Sequence, residues 1–140
     1  MSTYVSIPRE AFMAWSAHFQ LQALQVGQEL VFERPDPRYP GIVYRVYSSL
    51  PVRGDFSRGC GKDAIRAVAL ARSKTMEAPL GKATRVYRVS SVEGVLQRLQ
   101  GRLRELAIEA RALVGRTCPR CSGPAYSDTG RCYFRKCREM

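Results

Sequence analysis

The chain has 140 residues, 45% hydrophobic and 25% charged, with 23 Lys and Arg against 12 Asp and Glu for a formal net charge of +11. That length holds one ordinary core plus a small appendage and excludes two full domains, and that composition excludes a largely disordered chain. The charge excess points toward nucleic acid or an anionic surface without choosing between them, because a basic protein attracts polyanions over long range.

The opening segment MSTYVSIPREAFMAWSAHFQ lacks a charged start followed by an apolar run, and no 18 consecutive apolar residues occur. Neither a signal peptide nor a membrane span is expected, so the protein reads as cytoplasmic, with no membrane contact. A first helix is expected from near Pro8, whose fixed φ suits a first turn, with Phe12, Trp15 and Phe19 forming one apolar stripe. A strand follows from about Gln28 to Glu33, broken by three prolines, and then the β-branched and aromatic run GIVYRVYSSL. The turn PVRGDFSRGCGK separates it from DAIRAVALAR, and SKTMEAPLGKA leads to the short strand TRVYRV. These four strands are expected to form an antiparallel meander.

A long second helix is signalled by a capping box of Ser90 and Glu93 and by Leu96, Leu99, Leu103, Leu106, Ala110 and Leu113 at spacings of three and four, with Gly115 ending it. The stripe is shorter than a coiled coil needs, so it reads as the side that covers the sheet. Residues 1–115 are therefore expected to form an α+β domain of helix, four-stranded sheet and long helix, with the helices on one sheet face. Residues 116–140 form a separate module.

That module, TCPRCSGPAYSDTGRCYFRKC in its greater part, contains four of the five cysteines. Cys118 and Cys121 form CxxC, and after ten residues Cys132 and Cys137 form CxxxxC. In a reducing compartment such spacing points to metal rather than to disulfides, and two short thiolate loops joined by a hairpin suit a tetrahedral zinc site. A redox dithiol, an iron–sulfur cluster and unrelated free thiols are the alternatives. So small a module has no core of its own, so zinc binding and its folding should be one event. A site of four thiolates has no open position for water and is structural.

The CPRC pair followed by a Gly-Arg turn and a second cysteine pair resembles the four-cysteine zinc ribbons at the C-terminus of bacterial type I topoisomerases. The resemblance covers about the last 23 residues and implies that Cys118, Cys121, Cys132 and Cys137 are zinc ligands and that the ribbon binds single-stranded DNA. Those ribbons usually carry an aromatic residue just before the third cysteine, where this chain has Gly130 and Arg131; Tyr133 and Phe134 come after it. The middle of the chain, SRGCGKDAIRAVAL and KATRVYRV, is similar in pattern to small prokaryotic and phage proteins of unassigned function that end in such a ribbon. That similarity implies an architecture and no activity.

On residues 115–140, Arg116, Arg120, Arg131, Arg135, Lys136 and Arg138 oppose Asp128 and Glu139, so six less two leaves +4. A rigid basic hairpin can follow a phosphate backbone, with Tyr126, Tyr133 and Phe134 to stack on unpaired bases. In the strands, alternation puts Arg45 with Tyr47 and Arg85 with Tyr87, a second surface suited to single strands if the two faces coincide. Arg53, Arg58 and Lys62 stand among glycines in the loop at 52–62, where backbone amides can approach a phosphate, though no nucleotide-binding signature is present.

The expected function is therefore binding of single-stranded DNA, or RNA, with little sequence preference. An adaptor docking a replication, repair or transcription enzyme through the ribbon is the rival. A metal-dependent nuclease would need converging carboxylates; Asp36, Asp55 and Asp63 lie near strand ends, yet no acidic pair followed by a spaced Lys gives a recognisable core. A Cys60 and His18 pair has no third group to orient it. The helix–sheet–helix order also resembles the double-stranded RNA-binding domain, but four strands and the lack of a lysine cluster at the second helix's start argue against it.

Overall fold

The computed structural model describes residues 7–51, 64–87 and 91–139. Pro8, at φ −61°, caps the start of α1, Arg9–His18, and its carbonyl accepts from the Phe12 amide. Phe12 and Trp15 point inward from this helix, and the Phe12 ring stacks on Phe32 at 5.2 Å. His18 is exposed at the last turn.

Among the described residues the sheet has six strands rather than the four expected from the sequence: β1, Gln22–Val26; β2, Glu29–Pro35; β3, Ile42–Pro51; β4, Ala64–Arg72; β5, Glu77–Pro79; and β6, Thr84–Tyr87. The four anticipated strands are β2, β3, β4 and β6, neighbours in that order and antiparallel. The two additions are edge elements with weak patterns. β1 is exposed along most of its length, so it carries no apolar alternation, and it joins β2 through a tight turn at Gly27, where φ is +62°. β5 is three residues ending in proline, tolerable only at an edge, and it shares the outer side of β4 with β6.

Alternation along β4 explains how helix meets sheet. Ile65, Ala67 and Ala69 face the helices, where the two small alanines let α2 approach closely, and Ala71, on the same side, lies under the C-terminal cysteine module. α2, Val92–Val114, starts at Ser91 rather than Ser90: Ser91 Oγ accepts from the Gly94 amide at 3.1 Å, and Glu93 is left as an acid in the first turn. Its buried stripe is Val95, Leu99, Leu103, Leu106, Ala110 and Val114. Leu96 and Leu113, expected at the ends of that stripe, are rotated half out and out, because a period of 3.6 drifts from a repeat of threes and fours. The stripe shares one core with Ile42, Tyr44, Val46 and Ile65, so the long helix covers its own sheet. Each such side chain, fully buried, contributes about 1.5–3 kcal/mol.

A buried polar knot ties α2 to the loop before β3. Asp36 accepts from Arg111 Nε at 2.8 Å, from the Tyr44 hydroxyl, and from the Arg38 and Tyr39 amides. Burial alone would raise the Asp36 pKa, but these four donors outweigh it and hold the carboxyl below its ordinary value. This carboxylate, one of three weighed for a nuclease, is thus fully engaged in structure. Asp55 and Asp63 lie outside the described residues, as do Cys60 and Ser90.

Candidate metal centre and arginine groove

The ribbon is built from β7, Arg116–Thr117, paired with β8, Pro124–Ala125, and from α3, Arg135–Arg138. The first cysteine pair sits on a tight knuckle. The Ser122 amide donates to the Cys118 carbonyl at 3.0 Å, Ser122 takes a left-handed φ of +62°, and the Gly123 amide then donates to Cys121 Sγ at 3.4 Å. Gly123 must be glycine, since a Cβ there would lie 2.9 Å from the Phe134 ring. The second pair is spaced differently because its last member is helical: Cys132 bridges to Ala125, and Cys137 falls on α3.

These two turns bring four sulfurs together. Cys118 and Cys137 Sγ are 3.8 Å apart, Cys121 and Cys132 Sγ are 3.5 Å apart, and all four lie within 4.8 Å of one another. Disulfides would need about 2.05 Å. The corners of a tetrahedron around an ion bound to sulfur at about 2.3 Å are about 3.8 Å apart, so the donor set fits a metal ion. Burial pushes the Cys132 thiol up to about 12, whereas at Cys118 the amides of Cys121 and Arg120 outweigh burial and bring it to about 7. No other group of three or more His, Cys, Asp or Glu side chains placed to share a metal ion occurs among the described residues.

The ribbon is docked on the domain, not hung from it. Cys118, Cys132, Cys137 and Phe134 form one apolar cluster with Ala71 of β4, bordered by Met76, Ala78 and Leu80. Ser127 joins it to the end of α2, accepting from the Gly115 amide at 2.6 Å and donating to the Arg111 carbonyl at 3.2 Å, while the Tyr133 hydroxyl donates to the Pro79 carbonyl at 2.7 Å. Gly115 ends α2 without a left-handed φ; glycine is needed because a Cβ would stand 2.5 Å from the Arg111 carbonyl oxygen.

The basic residues of the ribbon divide into groups. Arg120, on the first cysteine knuckle, Arg131, just before Cys132, and Arg138, at the end of α3, line one groove of about 460 Å³ against Cys118, Cys132 and Cys137. Among the described residues no acidic side chain lines it. Arg120 Nη1 also reaches the Cys137 carbonyl at 3.5 Å. Arg135 pairs with Glu139 at 2.7 Å; Lys136 and Arg116 are exposed, and the Arg116 guanidinium stands against Gly130, which lines the groove. The aromatic residues serve packing: Phe134 is only 6% exposed within the ribbon, and Tyr133 is half-buried against both cores. Phe134 therefore presents no face to a base.

On the sheet, the two strand faces proposed from alternation do coincide. Tyr47 opposes Arg66, and Arg66 opposes Arg85. Arg45, however, is 6% exposed and consumed by Glu33 at 3.1 Å and Glu77 at 2.9 Å, with Arg72 sharing both acids at 2.8 Å. The side chain of Tyr87 and all of Arg53, Arg58 and Lys62 lie outside the described residues. Sequence reasoning missed Arg66, although its place in the alternating run IRAVALAR marked the face, and undervalued Arg138, counted only as charge.

No helix among the described residues is long and apolar enough to cross a membrane. Compared with family models, curated proteins and solved structures, the chain matches none of them, so the likeness of its cysteine segment to topoisomerase ribbons rests on residue spacing alone.

Proposed function

We propose that the protein binds single-stranded DNA, with little sequence preference, through a zinc-stabilised arginine groove. The observation that carries this reading is the convergence of Arg120, Arg131 and Arg138 on one groove beside the cysteine tetrad. Zinc is the ion the donors suit, being soft enough for thiolate and content with a closed tetrahedron, and its part here is structural. A divalent ion with four thiolates carries a surplus of two negative charges, so the ribbon's +4, less those two, leaves about +2. Part of the arginine charge therefore balances the metal centre. The rest faces solvent in a fixed cleft, where guanidinium groups can take phosphate oxygens in pairs. RNA offers the same phosphates, and the same assay with oligouridylate compares the two.

The test is fluorescence anisotropy of labelled oligothymidylate with the zinc-loaded full chain across a salt series, beside Arg131→Gln and Arg138→Gln. Binding should fall linearly on a log–log plot, and each arginine removed should flatten the slope by about 0.7. A flat salt response, or no binding at low salt, would overturn the reading. In the second case, stable co-elution with a nucleic-acid-processing enzyme would reassign the ribbon to protein docking.

A further inference from the structure

The sheet face away from the helices carries a second arrangement that the ribbon does not use. Alternation sends Arg66, Val68, Leu70 and Arg72 of β4 to this side. The Arg66 guanidinium lies 4.5 Å from the Tyr47 ring centroid, and Tyr47 Oη accepts from Arg45 at 3.2 Å, so ring and cation are both held in place. Among the described residues Arg66 otherwise has only a 3.5 Å contact with Glu29, at the solvent edge. Directly opposite it on β6, Arg85 is exposed and pairs with no acid among the described residues. Two guanidinium groups facing each other across an antiparallel pair repel, and an anion seated between them turns that repulsion into attraction.

Beside this pair the edge of β4 is notched. β5 pairs with β4 at Leu70–Arg72 and β6 pairs with it at Ala64–Ala67. Between them, Leu80 still donates to the Ala69 carbonyl at 2.8 Å, and then Gly81, at φ +122°, turns the chain away. The result is a groove of about 400 Å³ with Val68, Leu70 and Pro79 as apolar lining and Tyr47 and Arg66 alongside. The one acid in its lining, Glu77, is already held by Arg45 and Arg72.

We infer that this notch receives one nucleotide of a single-stranded DNA, its base against the exposed Pro79 and the half-buried Tyr47, above a floor of buried Val68 and Leu70, and its phosphate between Arg66 and Arg85. The inference rests on the reading of the protein as a nucleic-acid binder and adds a base-accepting contact to it. An aromatic and apolar recess next to paired cations is what an unstacked nucleotide requires, and a duplex keeps its bases stacked and out of reach. The ribbon packs on Ala71, a helix-side residue of β4, whereas the notch opens on the other side of that strand. A flexible strand that rounds the β5 edge can therefore touch both.

The experiment is amide chemical-shift mapping of the zinc-loaded full chain with a short oligothymidylate and with duplex DNA, together with oligothymidylate affinities of Arg85→Glu and Arg85→Gln. Single strands should shift the amides of Arg66, Val68 and Arg85, and duplex should leave these in place. Arg85→Glu should weaken binding about tenfold and Arg85→Gln less, with thermal midpoints no lower than wild type, since the exchange removes a like-charge pair. Shifts confined to the ribbon, or wild-type affinity in Arg85→Glu, would overturn the notch and leave the nucleic-acid reading standing. Absence of any oligonucleotide binding by the wild-type chain would overturn both.

Discussion

A single methyl group at Gly41 tests whether the metal ribbon and the sheet are one cooperative structure. A Cβ there would stand 2.7 Å from the Pro124 nitrogen and 2.8 Å from the Gly123 carbonyl carbon. Both are backbone atoms just past the first cysteine knuckle, so neither can swing aside as a side-chain tip would. Ordinary contact begins near 3.5 Å, so Gly41→Ala must part ribbon and sheet by roughly 0.7 Å. Gly41 has no left-handed φ, so the whole effect is steric. A parting of that size loosens the packing of Ala71, Met76 and Ala78 on the cysteine cluster and strains the Lys74 amide contact to the Cys121 carbonyl. Overpacking of this kind costs about 1–3 kcal/mol. For a chain of this size that lowers the thermal midpoint by roughly 3–10 °C.

A metal ion held by the four cysteines would fix the same knuckle, so linkage requires weaker docking to appear also as weaker metal binding. The assay is thermal unfolding of the zinc-loaded protein with, on the same sample, zinc competition against a chromophoric chelator. A thermal midpoint unchanged within about 1 °C and an unchanged zinc affinity would refute the reasoning: the ribbon would then be a tethered appendage, free to move off without consequence.

Asp36→Asn should destabilise by about 2–4 kcal/mol, read by urea unfolding, because Arg111 loses its ionised partner and Tyr44 its charged acceptor. Since the folded carboxyl lies below its ordinary 3.8, its contribution is present above that pH and is lost as pH falls through the lower folded value. The gap between wild type and variant should therefore close on acidification below about pH 4. Cys132→Ser should abolish tight metal binding, and loading the wild type should release protons, measurable with an indicator in weak buffer, because the ion takes thiolates from thiols such as Cys132, which burial pushes up to about 12. Tyr133→Phe removes the donor to the Pro79 carbonyl and should cost about 0.5–1.5 kcal/mol in the same unfolding assay. Leu99→Ala, at a site with no solvent exposure in the centre of the stripe, should cost about 2–5 kcal/mol, whereas Leu113→Ala, exposed, should cost under about 1 kcal/mol.

The sequence by itself determined what depends on local periodicity and spacing. Apolar recurrence placed α2, β-branched runs placed the central strands, and the cysteine spacing identified the four clustered thiols, because a knuckle and a helical turn are short-range geometries. Its misses are equally physical. β1 and β5 are edge strands with little to bury, so they leave no pattern, and the shift of the α2 stripe from Leu113 to Val114 depends on which side meets the sheet. Only the tertiary structure decided which cations remain open to a ligand. Arg45 and Arg85 look alike in VYRV and RVYR, yet one is consumed by Glu33 and Glu77, brought to it from other strands, and the other faces solvent beside Arg66. Phe134, a stacking residue by composition, fills the ribbon core, and Gly41, unremarkable in sequence, is where sheet and ribbon touch. Residue type and spacing fix what a side chain can do; long-range contacts fix whether a neighbour has already claimed it.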